Sequence, residues 1–395
     1  MKQHLVIVCG LLYPNPSPTG LCAYRYASLL SDHYDMEFIA MSENGKEEDV
    51  YYEGISVHTL SSKRLFLEYK TKGIIQRFIH LLGSAQIKLF MNGNLDWFST
   101  SAYKRLEAIH RQKPIDVLLT VCSPFPAHIA GVFFKKAHPE VKLCAYTVDP
   151  FAASDRIIPI GKSFKDLIEF EREVSAQADC LFLSEEAIQS RSDIYGDIQN
   201  KRALPYLLPK RVEVEGGMFD KEYIHCVYAG SFYKDIRNPE YMLKVFSSLR
   251  NKRIILHLYS AGCADLINKY EGYGNIQAKG YISQGELQRL YSSCDFLIGV
   301  GNAINDFLPS KTYEYISLRR PIIFFNPKGF GNKVLEQYPH SLQIADDTSI
   351  EKAVTLFEDF VSNEKGRTIS VEDLNEIYAC NTTSNIKSIL LKGLN

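Results

Sequence analysis

The chain carries almost no net charge: 45 lysines and arginines stand against 46 acids, leaving −1. A protein that grips duplex nucleic acid along its length needs a basic excess to displace counterions, so a chain-wide nucleic-acid footprint is excluded. Paired cysteines are also missing. Nine cysteines are scattered singly with no C-x-x-C, so neither a zinc site nor a redox pair is signalled. Dispersed thiols inside apolar segments read as buried residues of a reducing cytoplasm. Long apolar runs are absent. The opening "MKQHLVIVCG" is too short in apolar residues for a signal peptide and reads as a first strand. The longest uncharged window, 117–134, is broken by Pro124 and Pro126 and reads as strand, loop and helix rather than a membrane span. No G-x-G-x-x-G follows either leading strand, which speaks against a dinucleotide dehydrogenase.

What is present is a grammar used twice. The 395 residues suffice for two domains. In the first half, "HLVIVCG", "MEFIAM", "ISVHTL", "DVLLTV", "KLCAYTV" and "CLFLSE" read as strands separated by helical or loop material. The second half restarts at "IHCVYAG" and continues through "RIILHLYSAG", "NIQAKGYI", "CDFLIGV" and "PIIFF". Continuous apolar strands alternating with helices predict an α/β protein with parallel, doubly wound sheets. The junction is expected at 204–217, where prolines and glycines interrupt periodicity. The expected domains are 1–205 and 221–370, with 371–395 a helical segment packing back toward the first. One stretch departs from this grammar. Residues 62–90 carry six basic residues against the single acid Glu68, with apolar residues at helical spacing. Such a stretch either packs one face on the first domain, the plainer reading, or lies on an anionic membrane surface.

The chemistry concentrates in "DFLPSKTYEYISLRRPIIFF", 306–325. Ser310 sits where a helix N-cap belongs, after Pro309. A helix start offers unpaired N–H groups to an anion, and Lys311 adds a full charge. Glu314 lies one turn on, where its carboxylate could accept two hydroxyl hydrogen bonds from a ribose diol. An anion site and a diol acceptor one turn apart describe a nucleoside diphosphate. The alternative is a capped surface helix with a lysine–glutamate pair.

With its surroundings, this stretch resembles the donor-nucleotide domain of GT-B glycosyltransferases, the family 4 group above all. Those surroundings are "VYAGSFYKDIRNPEYMLKVF" and "NIQAKGYISQGELQRLYSSCDFLIGV". The resemblance covers 224–326 well and the rest loosely. It implies two Rossmann-like domains facing each other across a cleft, with Asp306 near the donor sugar and Glu314 on the ribose. It also implies donor contacts from Gly230, Ser231, Tyr281, Pro309, Ser310 and Lys311. The family's first glutamate is Asp306 here, its basic residue after the first glycine is Ser231, and Arg237, or in second place Lys234, must stand in for its lysine. Gly20, in the loop "PNPSPTGLCAYRYASLL", would let the donor phosphate approach a helix start, or simply shape a rigid turn. Ser123, His128 and Asp149 follow the carboxyl ends of two strands, where ligands border open sheets. They are candidates for the sugar or the acceptor hydroxyl; His128 alone reads more often as a capping or core histidine, and Asp149 equally as a turn residue.

The resemblance implies a retaining transferase that moves a sugar from a nucleotide diphosphate donor, a UDP-sugar favoured, to a saccharide or lipid-linked saccharide hydroxyl. Bacterial surface polysaccharide assembly is the expected setting, with cytoplasmic placement or peripheral contact at the inner face of the membrane. Helix dipole and cations would neutralise the leaving diphosphate, so no metal and no cofactor beyond the nucleotide-sugar co-substrate is expected; no Asp-x-Asp occurs in the chain. The open alternatives are a nucleotide-sugar epimerase and a non-catalytic partner subunit.

Overall fold

In the computed structural model of the chain, the described residues are 2–61, 97–153, 163–209, 217–260, 262–280, 282, 284–303 and 311–395. The basic stretch 62–90 therefore lies outside them, as do Asp306, Pro309, Ser310, Tyr281 and Ser283. The chain divides into two compact units. Met1–Leu207 with Thr383–Asn395 form the first, and Leu208–Thr382 the second.

The first unit is built on eight strands: β1 (Gln3–Leu11), β2 (Tyr34–Met41), β3 (Glu48–Tyr52), β4 (Ile55–Leu60), β5 (Val117–Cys122), β6 (Lys142–Thr147), β7 (Cys180–Leu183) and β8 (Lys201–Ala203). Their order is β3-β4-β2-β1-β5-β6-β7-β8. Every neighbouring pair is parallel except β3 with β4. Residues Leu5, Val6, Ile7 and Val8 of β1 are all fully buried. A parallel sheet is covered on both faces, which is why β1 and β5 are apolar without alternation. Leu5, Ile7, Phe38, Leu119 and Phe182 share one core with Ile386, Leu390 and Leu394 of the helix Thr383–Leu394.

The second unit carries β9 (Ile224–Ala229), β10 (Ile254–Tyr259), β11 (Ile276–Ala278), β12 (Phe296–Val300), β13 (Ile322–Asn326) and β14 (Ser341–Ala345). All pairs are parallel, in the order β11-β10-β9-β12-β13-β14. Counted within the unit this is 3-2-1-4-5-6, the Rossmann order, whose direction of winding reverses between its first and fourth strands. The expected mixed α/β class with parallel, doubly wound sheets is therefore what the chain forms. Local chemistry starts its helices. The Asn238 side chain accepts from the Glu240 N–H at 2.9 Å where Glu240–Ser248 begins, and Ser349 caps Ile350–Glu364. Among the described residues, no helix is long and apolar enough to cross a membrane.

Candidate active site

In the second unit the reversal of strand order falls between β9 and β12. Open α/β sheets bind ligands outside the carboxyl ends of the strands at such a point. Tyr228 and Ala229 end β9 there, Gly299 and Val300 end β12, and with Arg237, Lys311 and Tyr315 they line a recess of about 20 Å³. Two cations that the sequence separates by β10, β11 and β12 thus share one small space.

Arg237 is fixed from several sides. Its backbone and that of Tyr233 exchange hydrogen bonds of 3.2 and 2.7 Å across a tight turn. Its Nε and Nη2 donate to Asn302 Oδ1 at 3.1 and 2.9 Å, and Nη1 donates to the Ser231 carbonyl at 3.4 Å. The Tyr228 hydroxyl donates to the same carbonyl at 3.3 Å. Ser231 thus works through its backbone, and Gly230 beside it donates its N–H to the Tyr259 carbonyl at 2.9 Å.

Lys311 opens the helix Lys311–Ser317. Its Nζ donates to the Tyr291 hydroxyl at 3.4 Å. Burial lowers its pKa; Glu314 opposes the shift and Arg237 adds to it. A cation that shares a recess with a second cation gains from an incoming anion. Glu314 is half-buried, and its Oε1 is shielded from solvent with no hydrogen-bond partner among the described residues. A shielded acceptor oxygen left so is costly unless a donor arrives. The helix carrying both residues is tied down through Thr312, whose hydroxyl accepts from Asn332 Nδ2 at 3.3 Å.

In the first unit the winding reverses between β1 and β5. Thr19 Oγ1 donates to the Ser123 carbonyl there at 3.1 Å, and Ser123 itself is exposed. The expectation for Gly20 is corrected. Its amide donates to Ser17 Oγ at 3.1 Å, the N-cap of the helix Pro18–Ser28. A Cβ on Gly20 would lie 1.9 Å from the Leu11 carbonyl oxygen, so what approaches this glycine is its own chain. The expectation for His128 is corrected as well. It is buried, with Nδ1 2.7 Å from Thr120 Oγ1 and Nε2 3.1 Å from Thr147 Oγ1. Burial pushes its pKa down to about 3. A neutral ring with both nitrogens engaged joins β5 to β6 and has none left for a substrate.

Asp149 follows β6 and is exposed at its tip, while the protein around it raises its carboxyl pKa by desolvation. The loop after it is held by Glu171, which is fully buried. Glu171 accepts from the Phe151 and Ala152 N–H groups at 2.9 and 2.7 Å and from the Tyr195 hydroxyl at 2.6 Å. Glu171, Asn302 and the tyrosines of the recess were not legible as site residues. Each sits within an ordinary apolar or polar stretch, and only its spatial partners mark it.

No family model matches the chain, and no curated protein matches it. Solved structures do. A sucrose-phosphate synthase from Thermosynechococcus elongatus superposes with a TM-score of 0.68 at 10% identity, over 99% of this chain and 98% of that one. An α,α-trehalose-phosphate synthase (UDP-forming) from Burkholderia xenovorans gives 0.61 at 9% identity, over 99% and 100%. A UDP-N-acetylglucosamine 2-epimerase gives 0.53 at 9%, over 95% of each chain. The chain has a GT-B fold. In that GT-B frame the cation recess lies in the second Rossmann-like unit, at its strand-order reversal.

The GT-B chain also groups His110, His138 and Glu140 closely enough to suggest a metal. The Ile115 N–H donates to His110 Nδ1 at 3.1 Å, which leaves the ring proton on Nε2. That nitrogen is the one 3.8 Å from Glu140 Oε1, so it faces the carboxylate as a donor rather than as a metal ligand.

Proposed function

We propose that this protein is a glycosyltransferase that binds a nucleoside diphosphate sugar through its second unit and transfers the sugar to an acceptor hydroxyl. One observation carries the reading: Arg237 and Lys311 line one recess at the strand-order reversal, and one helical turn on from Lys311 a shielded Glu314 oxygen lacks a donor among the described residues. A recess of about 20 Å³ holds roughly one water, so the diphosphate would rest over its mouth, against the two cations. Glu314 would accept the ribose hydroxyls. As the sugar bond breaks, charge builds on the leaving diphosphate, and preorganised cations lower the barrier most when they stand where that charge develops. Arginine suits the task because its planar fork matches phosphate oxygens.

In the first unit, Asp149 is the exposed carboxylate beside a strand end and is the residue we assign to the acceptor side; His128 has no part. Asp306 is assigned to the sugar by its resemblance to the family's first acid. A uridine nucleotide is favoured, since the similar trehalose-phosphate synthase is named for forming UDP and the similar epimerase for a UDP-sugar. Stereochemistry is proposed as retaining on the paired acids, and the acceptor as a saccharide or lipid-linked saccharide. Metal-independence is proposed on the two cations of the recess, which would face the departing charge.

The test is donor turnover by the wild type, Lys311→Ala and Glu314→Ala, with and without saccharide acceptors. Loss of one charge-assisted hydrogen bond removes roughly 1.5–3 kcal/mol, tenfold or more. Glu314→Ala is expected to raise the donor KM by that factor, and Lys311→Ala to lower kcat. Wild-type kinetics in both variants would refute the assignment, and a changed donor sugar without acceptor would identify an epimerase instead.

A further inference from the structure

We propose that Asn302 is the positioning residue for Arg237, a neutral clamp that aims the guanidinium without cancelling its charge; this rests on the donor reading above. Asn302 Oδ1 takes two hydrogen bonds from one edge of the guanidinium, at 3.1 and 2.9 Å. The next residue, Ala303, donates its N–H to the Ile236 carbonyl at 2.6 Å, so the loop after β12 holds the backbone beside Arg237 as well as its side chain. Among the described residues, the guanidinium donates as well to the Ser231 carbonyl, at 3.4 Å. Both acceptors are neutral oxygens.

That neutrality is what makes the arrangement specific. A carboxylate is the usual partner of a partly buried arginine, and a bidentate pair would fix the fork just as well. It would also place a negative charge beside the arriving diphosphate. An amide of the same shape gives the orientation and leaves the full positive charge for the ligand. The geometry therefore singles out Asn302→Asp: almost no change in volume, the same two hydrogen bonds, one added charge. A residue that merely braced the loop would tolerate it.

Titration calorimetry of the full chain with uridine, guanosine and adenosine diphosphates, and with the matching nucleosides, tests this. For the diphosphate that binds, Asn302→Asp is expected to weaken affinity about tenfold, the scale of one charge-assisted hydrogen bond. Asn302→Ala, which loses the clamp but adds no charge, is expected to weaken it less, and both should leave nucleoside affinity at the wild-type value. Arg237→Ala is the companion variant. If it loses diphosphate affinity while Asn302→Asp loses no more than Asn302→Ala, the clamp proposal is wrong and the donor reading stands. An equal loss of nucleoside affinity in Asn302→Asp would mark general disruption and overturn the proposal too. If Arg237→Ala binds like the wild type, or no diphosphate binds the wild type, the donor reading itself falls and takes the clamp with it.

Discussion

At the scale of single residues, charge placement in this chain is local and strong. Glu37 lies between two histidines, with His4 Nε2 at 2.9 Å from one oxygen and His58 Nε2 at 2.7 Å from the other. His58 also faces Asp49 through Nδ1 at 2.7 Å, so carboxylates flank both of its nitrogens. Burial alone would lower the pKa of His58, but its bonds to Glu37 and Asp49 outweigh it and the net shift is upward. Bonds to His4 and then His58 hold Glu37 well below the usual carboxylate range. The signs follow by linkage. A raised histidine stabilises fully below its unfolded pKa of about 6.5 and stops doing so as pH rises through its folded value. A depressed glutamate stabilises above its unfolded pKa of about 4.3 and stops as pH falls. Both contributions are therefore whole between about pH 4.3 and 6.5. Glu37→Gln should cost about 1 kcal/mol there, roughly 3 °C in Tm, and distinctly less at pH 9. Melting curves at pH 5.5 and 9 check this, and an equal loss at both would count against it.

At the scale of elements, the terminal helix Thr383–Leu394 shows packing overriding propensity. Gly393 lies inside it, and a Cβ there would come 2.2 Å from Phe182 Cζ and 2.9 Å from Cys180 Sγ on β7. Alanine is the better helix former by about 1 kcal/mol. Phe182 is fully buried and cannot swing aside, so the clash should win: overpacked cores lose about 1–3 kcal/mol. Gly393→Ala is expected to destabilise the first unit, measured as a lower urea midpoint; a stabilised variant would show that the helix is not seated on β7 this way. Strands tell a similar story about context. The short continuous apolar segments of β1, β5, β9 and β13 were readable because burial on both faces demands them. Three edge strands were not. In β3 the sequence is "EDVYY", and its antiparallel partner β4 supplies what its own pattern lacks. β8 has three residues, and β14 has a single buried position.

At the scale of the whole molecule, two separately cored units make ligand binding readable as a change in stability. A nucleoside diphosphate held by the second unit at about 100 times its Kd should stabilise it by about 2.7 kcal/mol. Hydrogen exchange should then slow at the ends of β9 and β12 and not in the core of the first unit. A thermal-shift screen with uridine, guanosine and adenosine diphosphates, followed by exchange on the one that binds, reads both effects. Protection confined to the first unit would move the donor site there.

Alternation of apolar strands with capped helices, and the residue types able to meet a phosphate and a diol, were set by the sequence alone. Strand and helix periods repeat within a few residues, and a lysine or arginine is charged wherever it lies. Tertiary structure decided which of these groups face one another. Arg237 and Asn302 are 65 positions apart and meet because β9 and β12 are neighbours in the sheet. His128 was turned inward because Thr120 and Thr147, on adjacent strands, occupy both of its nitrogens. Such partners are chosen by strand order, a property of the folded sheet that no local window of sequence contains.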